Sequence, residues 1–62
     1  MEEKMINELQ ILIDGVKEAR EKHDKDYEQL CFEHYTACKR FTERVLGKEI
    51  KVTNDWKVDI VF

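Results

Sequence analysis

Proline is absent from this 62-residue chain, and glycine occurs only at Gly15 and Gly47. Phosphate-binding loops and nucleophile elbows need glycines at close spacing, so two glycines so far apart exclude both motifs. A chain this short also has few residues with which to wall a substrate pocket. The sequence therefore predicts a protein that is not an enzyme and that carries no cofactor.

Long apolar runs are missing as well. No stretch approaches the roughly 18 consecutive apolar residues that indicate a membrane-spanning helix. The chain begins with Glu2 and Glu3 after its methionine, whereas a signal peptide begins with basic and then apolar residues. We therefore expect a cytoplasmic protein with no membrane partner.

An excess of charge of one sign is the third feature that the chain lacks. Charged residues make up 40% of it, yet the net charge is only -3, so acidic and basic side chains are interleaved. Nucleic-acid-binding proteins usually carry a basic excess on one face, so the composition argues against such a partner. One basic cluster nevertheless keeps a nucleic-acid-associated accessory role open as an alternative. It consists of Lys39, Arg40, Arg44 and Lys48.

Apolar residues are present, and they recur at helical spacing in two segments. The first segment predicts a helix over about 2–23, and the second predicts a helix over about 26–46 that ends at Gly47 with a left-handed cap. The stripe of the first helix consists of Met5, Ile6, Leu9, Leu12, Ile13, Val16 and Ala19. The stripe of the second consists of Tyr27, Leu30, Cys31, His34, Cys38, Phe41 and Val45.

The connection between these two segments has two interpretations. Residues 23–26 form either a short turn, with Asp26 as N-cap and Gln29 completing a capping box, or a continuation of the helix. The apolar stripe stays nearly in phase across this connection, which leaves both a helical hairpin and one long helix open.

After the helices the apolar period changes to two, which predicts a β-hairpin over about 49–62. A three-residue loop at 53–55 pairs Val52 with Trp56, and it then pairs Ile50 with Val58. This register places all of these apolar side chains on one face of the hairpin, whereas a two-residue loop would divide them between two faces. We therefore expect the three-residue loop.

Four residues of types that bind zinc lie on or near the second helical segment, and they are His23, Cys31, His34 and Cys38. Four ligands strung along one helix cannot all reach one tetrahedral ion. Cys31 and Cys38 are about 10 Å apart along a helix axis, which is too far for a disulfide bond. Because both cysteines belong to the apolar stripe, we expect reduced, metal-free thiols that pack in the core.

The small size of the chain favours an oligomer. The sequence predicts a single domain of α+β class over residues 1–62. In a domain this small, the free energy of apolar burial roughly balances the entropy lost on folding. A homo-oligomer, most simply a dimer, buries more apolar surface, and the last strands pair either within one chain or between chains. The predicted oligomer or partner interface consists of Met5, Leu9, Leu12, Val16, Leu30, His34, Phe41, Trp56, Val58, Ile60 and Phe62.

The absence of a catalytic motif favours a small protein–protein interaction module or regulator. Such a protein would inhibit a larger protein by occupying its surface, as small inhibitors encoded by phages and mobile elements do. The alternatives are a structural assembly component and the nucleic-acid-associated accessory protein described above. No residue pattern identifies the target protein.

Overall fold

The computed structural model describes residues 2–61, so Met1 and Phe62 lie outside the described residues. Its elements in chain order are α1 (Glu2–Glu21), α2 (Lys25–Leu46), β1 (Glu49–Val52) and β2 (Val58–Val61). The two strands form an antiparallel hairpin. The predicted α+β class, with helices followed by a β-hairpin, is confirmed. None of the helices within residues 2–61 is long and apolar enough to cross a membrane.

The helices form a helical hairpin rather than one long helix, because the chain turns at residues 22–24. His23 adopts a left-handed φ of 57°. Its N–H donates to the Arg20 carbonyl at 3.2 Å, and the Asp24 N–H donates to the Ala19 carbonyl at 2.9 Å. This pair of hydrogen bonds is the Schellman arrangement, which satisfies the last carbonyls of a helix and reverses the chain.

The caps of α2 agree with the sequence at one end only. The Asp24 carboxylate accepts a hydrogen bond from the Tyr27 N–H at 3.1 Å, so Asp24 is the N-cap. The prediction of Asp26 as the cap is wrong, because the Schellman turn already ends at Asp24 and places Asp26 within the first helical turn. Gly47 closes the helix as predicted, with a φ of 67° and an N–H that donates to the Glu43 carbonyl.

The core lies between the two helices and beneath the hairpin. The largest buried cluster joins Leu9, Ile13, Tyr35, Ile50 and Val58. The predicted stripe of α1 faces inward, since it contributes all four buried residues of that helix. These residues are Leu9, Ile13, Val16 and Ala19.

The face of α2 that packs against α1 is offset from the predicted stripe. Cys31 belongs to both, and its predicted burial is confirmed. The buried residues of α2 are Cys31, Tyr35 and Thr42. The predicted stripe residues Leu30 and Phe41 are 51% and 62% exposed. At about 100° of rotation per residue, the buried and exposed sets occupy neighbouring faces of the helix. Cys38, which we expected in the core, is exposed as well.

The two helices approach each other closely at Gly15, which explains why the buried face of α2 differs from the predicted one. A Cβ added at Gly15 would lie 3.0 Å from the Cys31 Sγ and 3.9 Å from the Tyr27 hydroxyl. The missing side chain lets Cys31 pack directly on α1, which turns the face containing Cys31 inward. Gly15 is therefore a point of close packing between the helices, although glycine within a helix costs about 1 kcal/mol relative to alanine.

The predicted hairpin register is wrong by two residues, because each residue of β1 pairs with a residue two positions later than predicted. Val52 lies opposite Val58, and Ile50 lies opposite Ile60, so the loop between the strands comprises residues 53–57. The prediction that these apolar residues share one face holds, because a shift by two residues preserves the side-chain alternation. Ile50 and Val58 are buried on that face.

Trp56 explains why the register differs. Its φ of 61° is left-handed, and its N–H donates to the Thr53 carbonyl at 3.0 Å. The Thr53 N–H in turn donates to the Lys57 carbonyl at 2.8 Å. The tight turn therefore comprises Asn54, Asp55 and Trp56, one residue later than predicted.

Hydrogen bonds to the side chains of Gln10 and Glu43 attach the hairpin to the helices. The amide of Gln10 on α1 donates to the Trp56 carbonyl and accepts from the Val58 N–H, both at 2.8 Å. The Glu43 carboxylate on α2 accepts from the Ile50 N–H at 2.8 Å. Since Ile50 and Val58 lie on opposite strands, one backbone N–H of each strand is satisfied by a helix.

Candidate functional site

Most exposed apolar side chains of α2 form a continuous stripe along the helix, whereas Phe32, which is 54% exposed, lies on the opposite face. We call this surface the α2 stripe, and it consists of Tyr27, Leu30, His34, Ala37, Cys38, Phe41 and Val45. All seven residues are exposed, and they extend over about 27 Å of the helix at a rise of about 1.5 Å per residue. A surface of this length that is apolar along most of its extent is typical of a binding site on a protein that is otherwise highly charged.

The α2 stripe borders an apolar groove between the two helices. The groove has a volume of about 350 Å³, and its lining includes Met5, Leu9, Ala37, Cys38 and Phe41. Two polar residues, Glu8 and Thr42, complete the lining. The hairpin packs on a different side of α2, against Tyr35, so the groove and the α2 stripe stay uncovered.

Charged residues follow one edge of the α2 stripe, and their sign changes halfway along the helix. Asp26 and Glu33 lie along the N-terminal half, and Arg40 and Arg44 lie along the C-terminal half. All four are exposed. Glu33 and Arg40 are seven residues apart, so they lie within about 20° of each other around the helix. One edge of the surface is therefore acidic at one end and basic at the other.

The residues predicted as an interface do not form one surface. Leu9, Val16 and Val58 are buried in the core of the chain itself. Leu30, His34 and Phe41 lie together on the α2 stripe, whereas Phe62 lies outside the described residues. The remaining four are half-buried, and they are Met5, Leu12, Trp56 and Ile60.

Ala37 is a residue of the α2 stripe that the sequence prediction missed. It follows His34 by three residues and precedes Phe41 by four. A search for the alternating three and four spacing of helix–helix seams would have found it, because small residues are common in such seams. Alanine itself contributes little to an apolar stripe that is defined by large side chains.

Both cysteine thiols are free. Cys31 is buried, and its interaction with the Tyr27 hydroxyl is the main cause that raises the pKa of Tyr27. Cys38 is exposed in the apolar groove. Within residues 2–61 no three side chains of His, Cys, Asp or Glu are grouped so that they could hold a metal ion. The expectation of metal-free, reduced thiols stays a prediction.

Within residues 2–61, the Tyr35 hydroxyl is a buried side-chain group without a hydrogen bond. Tyr35 as a whole is 5% exposed. Burial raises the pKa of Tyr35, and the negative charge of Glu43 raises it further. A tyrosine held in its protonated form is a poor general base, so this group indicates a cost in stability and does not indicate a catalytic centre.

A second small cluster, centred on Arg20, joins the end of α1, the start of α2 and the turn of the hairpin. The Arg20 guanidinium lies 5.2 Å from the centre of the Trp56 ring and bonds to the Glu28 carboxylate at 2.9 Å. Arg20 therefore links α1 to the hairpin turn and to the first turns of α2. These contacts position the turn, and they leave the α2 stripe as the candidate functional surface.

Comparison with known proteins finds no family model, no curated protein and no solved structure that matches this chain.

Proposed function

We propose that this protein is a small, non-catalytic protein–protein interaction module and that it binds through the α2 stripe. The exposure of the α2 stripe carries this proposal. Phe41 and Leu30 stay more than half exposed, although Cys31 and Thr42, which are smaller or more polar, are buried on the same helix. The chain thus places large apolar side chains outside its own core.

Covering the α2 stripe supplies a favourable free energy of binding. Complete burial of a Leu or Phe side chain contributes about 1.5–3 kcal/mol. Leu30 and Phe41 have roughly half of their surface left to bury, so each contributes about 1 kcal/mol when a partner covers it. The module acts by covering part of its partner's surface, a mode of action that requires no reactive group.

A comparison of three proteins tests this proposal. The stripe variant carries Leu30→Glu and Phe41→Glu, and the control carries Ile11→Glu, because Ile11 is 63% exposed but lies on α1. Circular dichroism first verifies that each variant keeps the helical content of the native chain. Each protein is then immobilised and exposed to native cell extract, and the retained proteins, including further copies of this chain, are quantified by mass spectrometry.

We expect the native chain and the Ile11→Glu control to retain the same proteins. The stripe variant should lose them, because two charges now lie where an apolar partner surface has to pack. A retention profile that is the same for all three proteins would contradict the proposed function.

A further inference from the structure

We propose that the partner of the α2 stripe is a second copy of this chain, with the two α2 helices packed antiparallel about a two-fold axis between His34 and Ala37. This inference rests on the proposed function, because it names the partner of the same surface. Three observations support it: the spacing of the α2 stripe, the charges along its edge, and the surface area of the chain.

The spacing of the α2 stripe is that of a helix–helix seam. Tyr27, Leu30, His34, Ala37 and Phe41 follow one another at alternating steps of three and four. This average of about 3.5 residues is the period at which two helices keep the same face in contact along their length. A partner helix therefore fits the α2 stripe from Tyr27 to Phe41.

The sizes of the side chains favour the antiparallel orientation. A parallel pair would place His34 opposite a second His34 and Ala37 opposite a second Ala37, which crowds one layer and leaves a gap in the next. In an antiparallel pair His34 lies opposite the second copy's Ala37, and Leu30 lies opposite the second copy's Phe41. Each layer then has a more even volume.

The charges along the edge favour the same orientation. An antiparallel pair places the acidic half of one edge, at Glu33, beside the basic half of the other, at the second copy's Arg40. The two-fold axis makes this contact twice. A parallel pair would instead place the two acidic halves at one end and the two basic halves at the other.

The surface area of the chain matches what a dimer needs. The structure exposes 4849 Å², whereas about 4,250 Å² is typical of a compact monomer of this mass. Each chain therefore exposes roughly 600 Å² more than expected from the same scaling. Two copies that bury this excess remove about 1,200 Å² in total, which reaches the lower limit of stable, specific interfaces.

Charge reversal tests the inference, with dimer dissociation constants measured by sedimentation equilibrium. Glu33→Lys and Arg40→Glu each create two like-charge contacts across the two-fold axis. We expect each variant to raise the dissociation constant by at least about tenfold. The double variant Glu33→Lys/Arg40→Glu should restore the native value, because each new charge meets its opposite.

Mixing the two single variants gives an equally specific result. In a mixed dimer the lysine introduced by Glu33→Lys meets the glutamate introduced by Arg40→Glu, and the remaining native Arg40 meets the remaining native Glu33. Both contacts then join opposite charges, so we expect the mixture to form mixed dimers more tightly than either variant pairs with itself. Glu21→Lys on α1 is the matched control, since it makes the same change in net charge as Glu33→Lys away from the α2 stripe and should leave the constant unchanged.

Two results would overturn the inference. One is a native chain that sediments as a 7.5 kDa monomer at every concentration. The other is a double variant and a mixture that both stay as weak as the single variants. Neither result overturns the proposed function, which fails only if retention of partner proteins is independent of the α2 stripe.

Discussion

Gln10 is the side chain whose replacement tests how the hairpin is held. Its amide makes both hydrogen bonds that a neighbouring strand would make, one to the Trp56 carbonyl and one to the Val58 N–H. Both bonds are partly buried. Gln10→Ala removes these two bonds at once, together with the exposed bond from the Gln10 amide to the Asp14 carboxylate at 3.0 Å. It leaves a donor and an acceptor of the hairpin without a protein partner.

The expected loss follows from these two bonds. A neutral hydrogen bond contributes about 1 kcal/mol net, and leaving its partner unsatisfied costs more as burial increases. We therefore expect Gln10→Ala to lower the free energy of unfolding by about 2 kcal/mol. For a domain of this size, that loss lowers the melting temperature by roughly 8–16 °C.

Urea denaturation and thermal denaturation, followed by circular dichroism, measure this loss. Gln29→Ala is the matched control, because Gln29 lies in α2 and donates an exposed hydrogen bond to the Glu33 carboxylate at 3.1 Å. The control should change the free energy of unfolding by less than about 0.5 kcal/mol. If Gln10→Ala were no more destabilising than Gln29→Ala, the attachment of the hairpin through Gln10 would be refuted.

The remaining predictions concern Tyr35 and the contact of Gly15 with Cys31. Tyr35→Phe should stabilise the protein by about 1 kcal/mol in urea denaturation, because it removes a buried hydroxyl without a partner; a loss of stability would contradict this. Because the folded-state pKa of Tyr35 is raised, stability is complete below the unfolded value of about 10 and falls as the pH rises above it. Tyr35→Phe should reduce this loss of stability at high pH. A dependence of stability on pH that is unchanged in Tyr35→Phe would contradict the attribution of the loss to Tyr35. Gly15→Ala should stabilise a Cys31→Ala background by up to about 1 kcal/mol but stabilise the native chain less or destabilise it, because the new Cβ would lie 3.0 Å from the Cys31 Sγ. An equal effect of Gly15→Ala in both backgrounds would show that the contact is not tight.

The sequence predicted the order of the elements and the buried face of α1. Hydrophobic periodicity identifies an apolar face reliably, and α1 has one such face, which includes Leu9 and Val16. On α2 the same argument identified the stripe that contains Leu30 and Phe41, which the chain leaves exposed. Periodicity shows that a face is apolar, but it does not show which molecule covers it.

The details of the turns could not be predicted for a different reason. Trp56 adopts a left-handed φ that a bulky residue rarely takes. Local preference alone would assign the left-handed conformation to Asn54 or Asp55 instead. A hydrogen bond that the Gln10 amide, 46 residues earlier, donates to the Trp56 carbonyl helps to hold this conformation. The cap at Asp24 likewise depends on the left-handed His23 before it. Such conformations depend on distant or cooperative contacts that no local pattern contains.

Alkylation of Cys38 is the most direct test of the claim that the α2 stripe is a binding surface covered by a second copy. Cys38 is exposed on the α2 stripe, whereas Cys31 is buried and serves as an internal reference within the same chain. Iodoacetamide reacts with accessible thiols, and peptide mapping by mass spectrometry measures the rate at each cysteine separately. As the protein concentration rises through the dimer dissociation constant, the rate at Cys38 should fall while Cys31 stays protected at every concentration. A rate at Cys38 that does not depend on protein concentration would contradict the account.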